Sequence, residues 1–509
     1  MSWLDPVMIF TAFWTLATSY RSWKRNISGD SEPKKARPTE VLTVDGLDLE
    51  EISRCLEKGI FTSEDLVDLY LSRISQVNDQ ARAVACINPD AKSIAIKRDQ
   101  ERQNGRVLGP LHGIPFLVKD TFVTLDQMET TGGSFALAGA RYEVESTIIT
   151  KLREAGAVLL GKTNLTVGGF CEDQDPQGSS SGSAIAVSLK LASFAIGGET
   201  CGSIIYPAQK SGVVGLKPTV GLTSRAGTIP LNPAQDSVGP LTQYVRDSAV
   251  ILSIIAGEDE LDSATDSIPF NKIPSYETLC QRDALKGIRV AVPRSIYCIE
   301  ESDPELGAAF RETVSQFRDL GAVIIDDVDF ENWKPGSGQR EDLCGDILLR
   351  EAFDEFFAKL VTNPHKIKNI SDLIEFTKGT PAEEYEKFGA NWFESARDAP
   401  GTSASEEFSL VNARLENLGE DIPRLLDEQN CHILLATSST DLPLDLGRLP
   451  GIQIPLGFYS SEQRVIRNSK GMVTKAPNIP YGITLTGRRF SEEKLIACAI
   501  GEEYSSTLI

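Results

Sequence analysis

The sequence has few of the residues on which common catalytic and metal sites depend. Its 509 residues include three histidines, His112, His365 and His432, without the H-E-x-x-H spacing of zinc proteases. Its nine cysteines are scattered, odd in number and free of C-x-x-C pairs. Neither a zinc site nor a disulfide framework is therefore expected, and a reducing compartment fits the cysteine usage best.

Positive charge is also scarce. Lys and Arg number 51 against 72 Asp and Glu, which gives a formal net charge of −21 and a sequence pI of about 4.8. This balance argues against a nucleic-acid-binding surface. The 41% hydrophobic and 24% charged content is ordinary for a globular protein, and the length allows one large core or two to three domains.

An apolar run occurs in the N-terminal region. Residues 7–20 are apolar over about 14 positions, which is short for a membrane span of about 20 residues. Asp5 precedes this run, where a secretory signal usually carries positive charge. A helix packed on the protein surface and a weak membrane contact both stay open, and a span is disfavoured. Residues 26–40 are polar, contain two prolines and are predicted to be a linker.

The most informative stretch is residues 178–208, GSSSGSAIAVSLKLASFAIGGETCGSIIYPA. Ser179, Ser180 and Ser181 lie between glycines, and the apolar residues 184–196 are long enough for a buried helix, although periodicity does not exclude a strand. Residues 197–203 are predicted to form a turn that lets backbone N–H groups approach a ligand. A serine on such a turn can be a nucleophile beside an oxyanion hole, and an ordinary loop is the competing interpretation.

A second informative stretch is GPLHGIPFLVKD, residues 109–120, in which an apolar, strand-like run ends at Lys119. A lysine in a strand is usually solvated, but the preceding residues 114–118 have only apolar side chains. His112 is expected to be a hydrogen-bonded structural residue. Residues 146–164 are predicted to form a helix, a turn and a buried strand, a step typical of a layered α/β fold.

These stretches closely resemble the amidase signature family of serine hydrolases. GSSSGSA, ETCGSI, YPA and GVVGLKPTVGL occur in the family's order and spacing, GPLHGIPFLVKD resembles its lysine motif, and the likeness covers roughly residues 45–505. The resemblance implies an α/β fold, the amidase signature fold, with a mixed central β-sheet covered by α-helices on both faces. It also implies a single catalytic domain, 46–509, with a variable helical cap at about 260–430. An N-terminal apolar segment and linker, 1–45, precede this domain.

By the same resemblance, Ser203 is the nucleophile, Ser179 the bridging serine and Lys119 the general base. The backbone N–H groups of Thr200, Cys201, Gly202 and Ser203 are expected to form the oxyanion hole. Glu199 is expected to brace the turn and Thr200 to help orient the serines. A free lysine is neutral in only about one molecule in 2,500 at pH 7, so burial must lower its pKa by several units. Neither a metal nor a cofactor is expected.

The sequence departs from the family pattern at three places. Cys201 stands where relatives commonly have Gly or Asp, and Ile205 where Arg is frequent. The loop between Asn164 and Gly178 is shorter than in most relatives, and because it lies near the acyl side of the family's pocket, substrate preference is not transferred. Cys201 as the nucleophile is disfavoured, since a reactive cysteine generally needs a cationic or histidine partner.

The sequence therefore predicts an amidase that hydrolyses the C–N bond of a linear carboxamide, through a Ser-Ser-Lys triad and an acyl-enzyme, to a carboxylic acid and ammonia or amine. Two alternatives stay open: a glutamine-hydrolysing amidotransferase A-type subunit, and a catalytically inactive scaffold of the same fold. The expected partner is a small-molecule amide, without nucleic acid, and a homodimer is left open. The expected location is the cytoplasm, with membrane association through residues 7–20 left open.

Overall fold

A computed structural model describes residues 44–165, 178–281, 283–293, 303–326, 328–334, 343–437, 443–468, 471 and 473–505. The N-terminal apolar segment, the predicted linker and all but the first residue of the shortened loop before Gly178 lie outside these residues. No helix within the described ranges has both the length and the apolar character needed to cross a membrane.

A mixed β-sheet of 11 strands runs through the described part of the chain in the order β1-β4-β2-β5-β7-β6-β12-β15-β11-β8-β9. The pairs β2–β4, β2–β5, β8–β11 and β8–β9 are parallel, and the other neighbours are antiparallel. Two further pairs, β3–β10 and β13–β14, stand apart. The strands are β1 (Val84–Ile87), β2 (Pro115–Lys119), β3 (Arg141–Tyr142), β4 (Val158–Thr163), β5 (Phe194–Glu199), β6 (Val214–Lys217), β7 (Ser237–Thr242), β8 (Arg289–Val292), β9 (Val323–Asp326), β10 (Leu360–Thr362), β11 (Ile433–Ala436), β12 (Gly451–Phe458), β13 (Ile466–Arg467), β14 (Val473–Lys475) and β15 (Pro480–Gly487).

The described helices pack around this sheet. The first two described helices each begin with a capping box: Asp48 with Glu51, and Thr62 with Asp65. The helices are α1 (Leu49–Glu57), α2 (Ser63–Ala81), α3 (Ala91–Gln103), α4 (Thr147–Glu154), α5 (Ser181–Ser188), α6 (Ile205–Ser211), α7 (Val245–Ile255), α8 (Pro304–Asp319), α9 (Leu343–Ala358), α10 (Ile370–Gly379), α11 (Tyr385–Phe388), α12 (Asn391–Asp398), α13 (Glu406–Gly419), α14 (Asp421–Glu428) and α15 (Glu492–Ser505).

Both faces of the sheet are covered, as the alternation along β11 shows. Ile433 and Leu435 belong to the main hydrophobic core, whereas Leu434 and Ala436 belong to another core formed partly by α14. Successive side chains of a strand point to opposite faces, so apolar residues on both sides require helices on both sides. The predicted fold class is confirmed.

The predicted helix over residues 184–196 is wrong in its second half. Helix α5 ends at Ser188, Lys190 adopts a left-handed backbone conformation (φ 55°), and strand β5 begins at Phe194. An unbroken apolar run looks the same whether one buried helix or a short helix followed by a buried strand produces it. The predicted turn is correspondingly shorter, because residues 197–199 belong to β5.

The interval predicted as a helical cap, 260–430, contains two strands of the central sheet, β8 and β9. Helices α9, α10 and α12 form a separate hydrophobic core with Ala136, Leu137, Ala140 and Ile229. Glu383 joins this helical layer to the loop after β2, because its Oε1 accepts hydrogen bonds from Ser134 Oγ (2.7 Å) and Phe135 N (2.8 Å).

Candidate active site

Lys119 and Glu199 end two neighbouring parallel strands, β2 and β5. Val118 pairs with Ile196 in this ladder, so the carboxyl ends of both strands lie at the same edge of the sheet. The polar residues that follow each strand are therefore brought together. Ligand sites of open α/β sheets commonly lie outside the carboxyl ends of the strands.

Lys119 is a buried lysine without a carboxylate partner in the described part of the chain. It is 3% exposed, and its Nζ donates to Ser179 Oγ (2.6 Å) and to the carbonyl oxygen of Gly198 (3.2 Å). Burial lowers the pKa of Lys119 to about 7, although the charges of Asp236 and Glu199 act in the opposite direction. A substantial fraction of the amine is therefore neutral at pH 7. The adjacent Asp120 instead pairs with the buried Lys162 (3.3 Å).

The two predicted serines and this amine form a chain of hydrogen bonds. Ser179 Oγ donates to Ser203 Oγ (2.9 Å), which also accepts a hydrogen bond from the backbone N–H of Ser179 (3.1 Å). Gly178 makes this approach feasible: its φ is 75°, and a Cβ there would lie 2.8 Å from the carbonyl oxygen of Gly202. Ser179 and Ser203 are half-buried, whereas Lys119 is buried. The structure thus brings the three predicted side chains together, with the serines at the accessible end.

Glu199 braces the loop around Ser203, as predicted. Its Oε2 accepts hydrogen bonds from the backbone N–H groups of Ile204 (2.5 Å) and Ile205 (2.9 Å). Residues 200–203, which we call the nucleophile loop, lie between the acceptor and these donors. The side chain of Glu199 therefore fixes the distance between the two ends of the loop.

Thr200 is oriented differently from the prediction. Its hydroxyl donates to Asp236 Oδ1 (2.5 Å) and not to either serine of the pair. The other oxygen of Asp236 accepts from the backbone N–H groups of Leu231 (2.9 Å) and Asn232 (3.1 Å). Asp236 thus ties the nucleophile loop to the segment before β7. Burial raises the pKa of Asp236, and these hydrogen bonds oppose that shift.

The backbone N–H groups of Thr200, Cys201, Gly202 and Ser203 donate no hydrogen bond to any acceptor within the described residues. Gly202 has a φ of 72°, a conformation that glycine adopts without strain. Free amide donors next to a nucleophilic oxygen are the groups that stabilise a developing oxyanion.

The side chains at the two unusual positions of this segment have separate surroundings. Ile205 is 1% exposed and packs in the core shared with α14. Cys201 is exposed, but its thiol lies beside Asp445, and the negative charges of Asp445 and Glu199 raise the pKa of Cys201 well above its usual value. A thiol that is so hard to deprotonate is a poor nucleophile. This electrostatic environment argues against Cys201 as the attacking group.

His112 is a structural residue, as expected. Its Nδ1 accepts a hydrogen bond from the backbone N–H of Leu108 (3.3 Å), and Nε2 lies 2.9 Å from the carbonyl oxygen of Arg98. Burial lowers the pKa of His112. With both ring nitrogens engaged by the backbone, the ring is held in place by its surroundings.

Comparisons with known proteins agree with this geometry. Residues 65–496 match the amidase family, and a relative from Arthroderma benhamiae, named as an amidase, is 37% identical over 88% of this chain and 83% of its own length. The chain belongs to the amidase family. It is an amide-hydrolysing enzyme, and this amidase shares its fold with peptide amidase from Stenotrophomonas maltophilia (TM-score 0.80, 30% identity, 91% of this chain and 97% of that one).

This amidase is also similar to a different kind of enzyme. The A-type subunit of the glutamyl-tRNA(Gln) amidotransferase of Chloroflexus aurantiacus is 38% identical over 288 residues, which are 53% of this chain and 58% of that protein. The corresponding subunit of Rhodospirillum rubrum is 29% identical over 92% of this chain and 96% of its own length, so the similarity to this kind of subunit extends over most of the chain at lower identity.

Two acidic residues near the nucleophile loop, Asp236 and Asp445, were not predicted from the sequence to contact it. Both lie within residues 45–505, the part of the chain that resembles the family. Both come from other parts of the chain and reach the loop only through the packing of β7 and the segment before β12. Local residue patterns do not report such contacts.

We expect Thr200→Val to lower kcat of this amidase about tenfold with a smaller change in KM. The substitution removes the hydrogen bond to Asp236 and leaves a buried carboxylate oxygen without its donor, a loss of roughly 1–3 kcal/mol. Steady-state kinetics on an amide substrate measure the effect. Thr278→Val is a suitable control, because that hydroxyl donates to Ser275 O on the exposed surface. Equal kcat values for Thr200→Val and wild type would show that the tie does not position the loop.

Proposed function

We propose that this amidase hydrolyses linear carboxamides through Ser203, Ser179 and Lys119. The observation that carries the proposal is the continuous pair of hydrogen bonds from Lys119 Nζ to Ser179 Oγ (2.6 Å) and from Ser179 Oγ to Ser203 Oγ (2.9 Å). Hydroxyl groups can pass a proton along such a line, and a neutral amine at its buried end is a competent acceptor.

In the acylation step, Ser203 Oγ attacks the carbonyl carbon of the amide. Its proton moves to Ser179 Oγ while the proton of Ser179 moves to the neutral Nζ of Lys119. The tetrahedral intermediate then breaks its C–N bond, and the proton returns along the same line to the leaving nitrogen, which departs as ammonia or an amine. Water attacks the resulting acyl-enzyme by the same proton route and releases the carboxylic acid with Ser203 restored.

The amides of the nucleophile loop supply the oxyanion hole in this proposal. Thr200, Cys201, Gly202 and Ser203 have N–H groups without acceptors among the described residues. Their positions are fixed by Glu199 at the loop ends and by Asp236 at Thr200. Losing one oxyanion donor typically raises the barrier by about 3–4 kcal/mol.

The substrate enters, we propose, beneath the helical layer formed by α9, α10 and α12. Glu383 connects this layer to Ser134 and Phe135, in the loop that follows β2 and therefore Lys119. The helices have their own hydrophobic core, and in this proposal they cap the edge of the sheet at which Lys119 lies. The proposed substrate is a small carboxamide, and the proposed location is the cytoplasm because of the scattered cysteines.

Glutamine hydrolysis with transfer of ammonia to a partner chain is a second candidate. The similarity to the A-type amidotransferase subunit of Chloroflexus aurantiacus supports it over 53% of this chain. An enzyme of this kind would act on one amide, glutamine, and would associate with other chains. These properties differ from those of a free-standing amidase.

A panel of simple amides separates the two candidates. The full-length protein is incubated with fatty, aryl and peptide carboxamides and with glutamine, and release of ammonia or amine is measured. Turnover of carboxamides by the isolated chain supports the proposal. Turnover confined to glutamine, together with copurifying partner chains, supports the second candidate, and absence of both turnover and labelling by a fluorophosphonate probe indicates an inactive scaffold.

A further inference from the structure

Glu199 has a second carboxylate oxygen that its bracing role does not explain. Oε2 receives both backbone N–H groups that close the nucleophile loop. Oε1 is buried and accepts no hydrogen bond from any donor assigned within the described residues. A buried carboxylate oxygen without a donor is costly, so a group in contact with it should supply a proton.

Asp445 lies where such a donor is needed. It is 9% exposed, and its Oδ1 is another buried oxygen without an assigned hydrogen-bond donor among the described residues, 3.9 Å from Lys217 Nζ. The carboxyl groups of Asp445 and Glu199 are close enough to hydrogen-bond to each other. Ionised carboxylates only accept hydrogen bonds. The contact is therefore favourable only when one of the two carries a proton.

Charged groups on several elements surround this pair. Lys217 of β6 is fully buried and donates to Leu449 O (2.7 Å). Glu492 of α15, whose Oε1 accepts from the backbone N–H of Thr219 (2.7 Å), faces the same lysine. Lys217 is thus shared by Asp445 and Glu492, and the Cys201 thiol is a further titratable neighbour of Asp445.

The proton is assigned to Asp445 because Glu199 already serves as the acceptor of two backbone N–H groups. Burial and the charge of Glu199 also raise the pKa of Asp445 to about 7. Lys217 and the Cys201 thiol oppose this shift without cancelling it.

We infer that Asp445 is a positioning residue for the nucleophile: its protonated carboxyl donates a hydrogen bond to Glu199 and thereby holds the loop of residues 200–203. The inference rests on the proposed role of Ser203. Loss of the proton places two anions against each other where solvent screening is weak. Their repulsion displaces Glu199 from the backbone donors that set the shape of the loop.

The test is the pH dependence of labelling by a fluorophosphonate probe, measured with the full-length protein from pH 5 to 10. In wild type the labelling rate should pass through a maximum near pH 7, because Lys119 must be neutral and Asp445 protonated. Asp445→Asn keeps a donor and does not ionise, so its rate should rise and then stay level. Asp445→Ala lacks the donor and should be labelled about tenfold more slowly than Asp445→Asn at every pH.

Asp427→Asn is the matched control, because Asp427 is an exposed carboxylate paired with Arg488. It should reproduce the wild-type profile. Superimposable profiles for wild type and Asp445→Asn would overturn the inference, as would equal labelling rates for Asp445→Asn and Asp445→Ala at pH 7. If circular dichroism shows that Asp445→Ala does not fold, the comparison of wild type with Asp445→Asn decides alone.

Ser203→Ala distinguishes the failure of this inference from failure of the proposed function. If Ser203→Ala is labelled at the wild-type rate, the proposed nucleophile is wrong and the inference falls with it. If Ser203→Ala is not labelled while wild type and Asp445→Asn behave alike, only the role of Asp445 is overturned.

Discussion

Ser203→Ala should abolish amide hydrolysis while the chain stays folded. Removing the nucleophile from a serine-hydrolase triad lowers kcat by a factor on the order of 10⁶. The methyl group of alanine fits the half-buried site, and the lost hydrogen bonds with Ser179 cost about 1 kcal/mol each. Release of ammonia or amine measures activity, and thermal unfolding followed by circular dichroism verifies the fold.

Ser181→Ala is the control for this result, since Ser181 lies two residues after Ser179 but begins α5 and has no role in the proposed proton path. It should retain most of the activity. Full hydrolysis by a folded Ser203→Ala enzyme would overturn the proposed mechanism. An equal loss of activity in both variants would mean that the loss does not come from removal of the nucleophile.

Lys119→Ala should lower kcat by about 10²–10⁴ at neutral pH, the usual contribution of a general base. Because the pKa of Lys119 is about 7, the wild-type rate should fall as the pH decreases through 7, when the amine gains a proton. This acid limb should be absent from Lys119→Ala. A wild-type pH profile in the variant would rule out the lysine as the base.

Lys119→Arg tests whether activity requires a proton acceptor at this position or only a positive charge. Arginine keeps a cation at this site and stays protonated at all accessible pH values, so the variant should be as inactive as Lys119→Ala. Activity close to wild type in Lys119→Arg would show that charge alone is required. Together the two variants test whether a neutral amine is needed.

Lys119 also makes stability depend on pH. Its pKa is about 7 in the folded chain against an ordinary value of 10.5, so between these values the unfolded chain binds more protons. The free energy of unfolding therefore increases as the pH rises from about 7 to 10.5. Below pH 7 both states are protonated, so Lys119 adds no further pH dependence there. Lys119→Met should lack this part of the pH dependence in urea unfolding.

The proximity of Lys119, Ser179 and Ser203 could be predicted because short, ordered sequence motifs carry these residues. Lys119 ends a run of apolar residues, and Ser179 and Ser203 each follow a glycine, which has a positive φ in the structure. The boundary between α5 and β5 could not be predicted, because one apolar run spans both elements. Asp236 and Asp445 were missed for a different reason: each reaches the nucleophile loop from a distant segment, and one sequence does not show which acids become neighbours.

The separate hydrophobic core of α9, α10 and α12 has a consequence for the diversification of this enzyme. On the proposed entry route, substitutions within that core reshape the entrance to the site, while Lys119, Ser179 and Ser203 are held by β2, β5 and the glycine turns. Selectivity for one acyl group over another can therefore drift between descendants, with the bond-breaking apparatus inherited intact. Swapping residues 343–398 between relatives would exchange their preferences more readily than any exchange at the sheet edge.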